Sequence, residues 1–118
     1  MKRLLIISLI AMLGFTSLAQ AATATIPAKV KTLLAADGGR WGECMALLDV
    51  SVQSYLPTCP AGNWVTFSCS GVFTTKDVAN RMFDLAQMAK ALNRPVSVYV
   101  DDSKKHNGYC YVNRIHLR

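Results

Sequence analysis

Four cysteines, two histidines and one dense polar run carry the side chains of this sequence that could do chemistry. Cys44, Cys59, Cys69 and Cys110 follow one another at spacings of 15, 10 and 41 positions. None forms the CxxC pair typical of a structural zinc site, so two disulfides are expected rather than a metal centre, and three connectivities are open. The polar run is Asp101 to Gly108, DDSKKHNG. Asp101, Asp102 and His106 are metal-ligand types, but Lys104 and Lys105 stand between them. A solvated turn is the plainer reading, and no metal or cofactor is expected. As a ligand-binding loop, Asp101, Asp102, Lys105, His106 and Asn107 offer the carboxylate, ammonium and amide groups that bond sugar hydroxyls. Tyr99 and Tyr109 bracket the run with aromatic faces.

Catalysis would need an activated nucleophile or paired acids. His106 and His116 are the only imidazoles, no serine stands at a suggestive spacing from either, and the cysteines are expected to be oxidised. A non-enzyme is therefore expected. Trp41 and Trp64 flank the other end of the strands and read as packing residues. Tyr109 and Tyr111 lie opposite Cys110 and Val112, whereas Ile115 and Leu117 align with the tyrosines. Strict alternation thus leaves the interior face of the last strand undecided.

These residues must be positioned by short strands and one helix. Thr74 to Asn93 has Val78, Met82, Leu85, Ala86, Ala89 and Leu92 at helical spacing. Asn80, Arg81, Asp84 and Gln87 fall on the other side. Thr74 is the expected N-cap, and Arg94-Pro95 ends the helix. Strands are expected at 28–34, 41–52, 64–70, 95–100 and 109–117, from alternating apolar residues bounded by turn signals. Residues 54–63 and 101–108 read as connections, and residues 22–27 as a loose arm. Three strands, a helix and two strands is the order of an OB-fold, a five-stranded partly open barrel that binds oligosaccharides or oligonucleotides. A β-sandwich would need more strands, and a ferredoxin-like fold a second helix.

Met1-Lys2-Arg3, an apolar run to about Ala19 and the small-x-small site Ala19-Gln20-Ala21 read as a cleavable secretory signal over residues 1–21. The apolar run is shorter than the ~20 residues of a spanning helix, and no later stretch is long enough to cross a membrane. Residues 22–118 then form a single small domain of 97 residues, periplasmic or secreted. A domain of this size is marginal without staples, and export permits disulfides. Without Lys2 and Arg3 the chain has 11 basic and 7 acidic side chains, a net of +4. That mild excess suits acidic partners such as sialylated glycans, lipopolysaccharide or an acidic protein surface. Export argues against nucleic acid.

From Cys44 to Val100 the chain resembles the binding (B) subunits of the subtilase-cytotoxin and typhoid-toxin group of pentameric bacterial toxins. The likeness lies in a Cys-bearing strand at Gly42-Glu43-Cys44, a second at Phe67-Ser68-Cys69-Ser70, a following helix and the strand start Arg94-Pro95-Val96. It covers about half of residues 22–118. The resemblance implies an OB-fold subunit, glycan recognition, and a homo-pentamer assembled with an exported enzymatic subunit. It also implies that Cys44 pairs with Cys69, which leaves Cys59 for Cys110. No motif for the family's sugar-contacting residues is matched. The competing expectations are a periplasmic protein-interaction or inhibitor module, and an envelope protein without a defined ligand.

Overall fold

The computed structural model describes Gly14 and residues 22–118; the expected signal segment otherwise lies outside the described residues. Six strands form one sheet: β1 (Thr23–Ala28), β2 (Val30–Ala35), β3 (Cys44–Leu48), β4 (Trp64–Thr66), β5 (Val96–His106) and β6 (Tyr109–Leu117). The strand order is β1-β5-β6-β4-β3-β2. A four-residue helix, α1 (Val52–Tyr55), follows β3, and the long helix α2 (Lys76–Ala91) lies between β4 and β5. Among the described residues, the mainly-β class, the one long helix and the two disulfides match expectation. The five-stranded barrel does not: the sheet has six strands and is open, with β1 and β2 at its edges.

The sixth strand is the segment expected to be a loose arm. Thr23–Ala28 pairs antiparallel with β5, with Ile26 opposite Val98. Ala24, Ile26 and Ala28 alternate inward, and Ile26 is fully buried. Pro27 lacks an N–H donor, so this strand belongs at an edge. The strand expected over 41–52 is shorter, because residues 40–42 form a 3-10 turn and Val52 opens α1. The strand expected over 64–70 ends at Thr66, and Ser68 takes a left-handed φ of 61°. The connection expected over 101–108 is mostly strand. β5 continues to His106, and only Asn107-Gly108, at φ 50° and 88°, makes the turn. Two successive positive φ values suit the right-handed twist of a two-residue hairpin.

One face of the sheet carries the core. Val96, Val98 and Val100 of β5, Ala46 and Leu48 of β3, and Val65 and Phe67 at β4 are all buried there. A register shift between Tyr99 and Val100 decides the orientation of β6. Val100 faces Val112, yet Val98 faces Ile115, so β6 holds one extra residue. This bulge returns Ile115 to the side of Cys110 and Val112, although strict alternation would put it with the tyrosines. A second shift, between Val30 and Thr32, brings Val30 and Leu33 to the core side and leaves Leu34 on the other.

Helix α2 covers the core face. Thr75, not Thr74, is its N-cap, and its hydroxyl accepts from the Val78 amide at 3.2 Å. The helix ends on Asn93 at φ 50°, with the Asn93 amide donating to Lys90 O and the Arg94 amide to Ala89 O. That paired arrangement satisfies carbonyls that the helix would otherwise orphan. Ala79, Met82, Ala86 and Ala89 are buried, and Leu85 is half-buried. Val78 and Leu92, expected on the same face, are exposed: the apolar arc is broader than the strip the sheet covers. Asn80, Arg81, Asp84 and Gln87 are exposed as expected.

Both disulfides join the pairs implied above, Cys44 to Cys69 and Cys59 to Cys110. Phe67 is fully buried and meets Phe83 of α2 at 5.9 Å between ring centroids. Phe67→Ala is predicted to cost ~3–5 kcal/mol in urea denaturation. Gln87→Ala should cost less than ~0.5 kcal/mol. A loss at Gln87 equal to that at Phe67 would contradict this placement of the helix.

Candidate functional site

The face of the sheet opposite α2 carries an aromatic cleft. Register fixes its wall. Leu34 of β2 stands opposite Met45 of β3, Met45 opposite Thr66 of β4, and Thr66 beside Tyr111 of β6. Trp64 and Tyr109 lie two residues before Thr66 and Tyr111, so they share this face. Leu34, Met45, Trp64 and Tyr109, with Trp41 from the 3-10 turn, line a cleft of about 160 Å³. Met45 is buried and the other four are half-buried.

Trp41 is presented by an unusual stretch of backbone. Gly38, Gly39, Trp41, Gly42 and Glu43 all have positive φ, Trp41 at 51°. That conformation is strained for a bulky side chain and persists only where neighbours hold it. Thr66 supplies one restraint, its hydroxyl donating to the Trp41 carbonyl at 2.7 Å. Gly42 supplies another: a Cβ there would collide with Thr66 Oγ1 and lie 2.6 Å from His106 Cδ2.

The residues singled out in the polar run separate into different roles. Tyr109 joins the cleft. Asp101 accepts from the Ser103 amide at 2.8 Å and from its hydroxyl at 2.6 Å, shaping its own strand. Asp102 accepts from the Ala22 amide at 2.8 Å and the Thr58 hydroxyl at 2.6 Å. Thr58 first, then Ala22, hold its carboxyl below the ordinary carboxylate value. Lys105 Nζ donates to the Thr58 carbonyl at 2.8 Å. Asp102 and Lys105 therefore clasp the loop that carries Cys59, which is itself bonded to Cys110 of β6. Asn107 is exposed at the turn. Tyr99 lies away from the cleft residues, under the Arg114 guanidinium at 4.0 Å and edge-on to His116 at 5.3 Å. Trp41 and Trp64, read from sequence as packing residues, are the ones brought to Tyr109. Their flanks held a signal: Gly39-Arg40 and Gly42 around Trp41, and Gly62-Asn63 before Trp64, are not core neighbours.

Beside the cleft, folding brings together a Ser–His pair that spacing did not suggest. Ser68 Oγ lies 2.9 Å from His106 Nε2 and accepts from the Phe73 amide at 3.2 Å. Phe73 stacks on His106 at 4.4 Å and meets Tyr111 at 5.4 Å. The serine oxygen thus bonds both the Phe73 amide and the His106 ring. Burial lowers the His106 pKa from its ordinary 6.5. Ser68 is fully buried, and the pair ties the segment after β4 to the end of β5.

Among the described residues, no group of three or more His, Cys, Asp or Glu side chains could hold a metal ion. Among the same residues, no helix is long and apolar enough to cross a membrane. Comparison with protein-family models, with curated proteins and with solved structures returned no match.

A histidine whose pKa is lowered by folding adds stability above its unfolded value and loses it as pH falls through the folded value. Stability should therefore decline below pH 6.5. His106→Gln, which keeps a polar group without titrating there, should show a shallower decline between about pH 7 and about pH 5. Parallel denaturation profiles for the two proteins would contradict the burial-lowered pKa of His106.

Proposed function

We propose that this chain is an exported, non-enzymatic binding module that recognises a glycan, of the kind seen in toxin B subunits. The observation that carries the proposal is the cleft in which Trp41, Trp64 and Tyr109 converge. Aromatic faces with a polar N–H or O–H at one end suit a sugar ring, which has an apolar C–H face and hydroxyls around its rim. The strained backbone of Trp41 supports the same reading, since strain that neighbours must maintain gathers at binding sites. The paired disulfides are compatible with export. The mainly-β sheet with one long helix is compatible with an OB-type subunit.

A second reading, assembly with other protein chains, rests on α2. Val78, Met88 and Leu92 are 42, 49 and 59% exposed and lie along one side of the helix, with half-buried Leu85 between them. Such a line would suit a homo-oligomer, a pentamer with an exported enzymatic subunit included, or an inhibitor-type contact with an envelope protein.

Residues 22–118 should bind one or more structures on a glycan array, and Trp64→Ala and Tyr109→Ala should each weaken that binding at least ~10-fold, about 1.4 kcal/mol. Gln87→Ala, on the exposed side of α2 and away from the cleft, should retain it. Sugar binding that survives both cleft substitutions would overturn the assignment of the cleft.

A further inference from the structure

We infer that the cleft takes a single uncharged sugar ring, and that acidic sugars such as sialic acid are excluded from it. The inference rests on the glycan-binding reading and narrows it. The five lining residues, Leu34, Trp41, Met45, Trp64 and Tyr109, include no cationic and no carboxylate side chain. Their polar side-chain atoms are two indole N–H groups and one phenol. A carboxylate brought against this surface would lose water and gain no cation, an uncompensated desolvation.

Lys104 and Lys105 of β5 and Arg114 of β6 are engaged elsewhere. Lys105 holds the Thr58 carbonyl at 2.8 Å. Lys104 lies over the Tyr111 ring at 5.9 Å, and Arg114 over Tyr99 at 4.0 Å. The residues that line the cleft therefore furnish no anion subsite. Size points the same way. A cleft of about 160 Å³ is smaller than the ~300–1,000 Å³ of drug-sized pockets and suits one terminal ring rather than a run of residues. A pyranose stacks its C–H face on an indole and leaves hydroxyls for the phenol and for water.

Both tryptophans of the chain line the cleft, so intrinsic fluorescence reads this site. The protein is titrated with methyl glycosides of galactose, glucose, mannose and N-acetylglucosamine, and with the methyl glycoside of N-acetylneuraminic acid, each into the millimolar range. Titrations are run at about 20 mM and about 500 mM salt. At least one neutral glycoside should shift the emission, bind at least ~10-fold tighter than the sialoside, and change affinity less than ~2-fold with salt. Trp64→Phe, which keeps an aromatic face, should bind the same glycoside and should report it through Trp41. Tighter binding of the sialoside, weakened by salt, would overturn the neutral-ring inference and leave the glycan reading standing. No response to any of the five glycosides would remove both.

Discussion

The parallel contact between β4 and β6 joins the two halves of this sheet. On one side of it lie β1, β5 and β6, and on the other β4, β3 and β2, with Thr66 beside Tyr111 as the registered pair. A single registered pair is a weak seam by itself, and parallel pairing is slightly less stable per residue than antiparallel. Much of the unusual chemistry of the chain gathers where that seam needs support. Ser68 and His106 bridge it by a hydrogen bond, and Phe73 covers both His106 and Tyr111. Gly42 admits His106 and Thr66 at distances no larger residue would allow. Cys59–Cys110 ties the loop before β4 to β6.

The cleft follows from the same seam. Tyr109 comes from one half, and Trp64, Met45 and Leu34 from the other. Thr66 stands at the junction and also fixes the carbonyl of Trp41. The groups that hold the halves together therefore also set the separation of the aromatic walls. Asp102 and Lys105 belong to this support. They grip Thr58 next to Cys59, which explains why the densest polar run of the chain is mostly strand and not a free loop.

Much of the fold was legible because apolar alternation persists wherever strands are regular. Val96, Val98 and Val100, then Val65 and Phe67, pointed inward as their spacing implied. The long helix was legible from its period, and its outer side from Asn80, Arg81, Asp84 and Gln87. Parity failed at the bulges beside Tyr99 and Val30, because one inserted residue reverses every later assignment and leaves no mark in composition. β1 was missed because two of its three inward residues are alanines. The cleft was not legible from local sequence. It takes one residue from each of four strands and one from a left-handed turn, and only the register brings Tyr109 to the tryptophans. The hairpin residues were conspicuous for their polarity, yet polarity alone does not separate a side chain offered to a ligand from one that binds its own loop.

The account stands on the cleft being where ligand meets protein, and indole N–H resonances test this most directly. Two such signals are expected, one from Trp41 and one from Trp64. Adding a sugar that the protein binds should move both, together with Tyr109, while Tyr99, Asp101 and Asp102 stay in place. Movement centred on Tyr99 and the two aspartates, with both indole signals unchanged, would contradict the account.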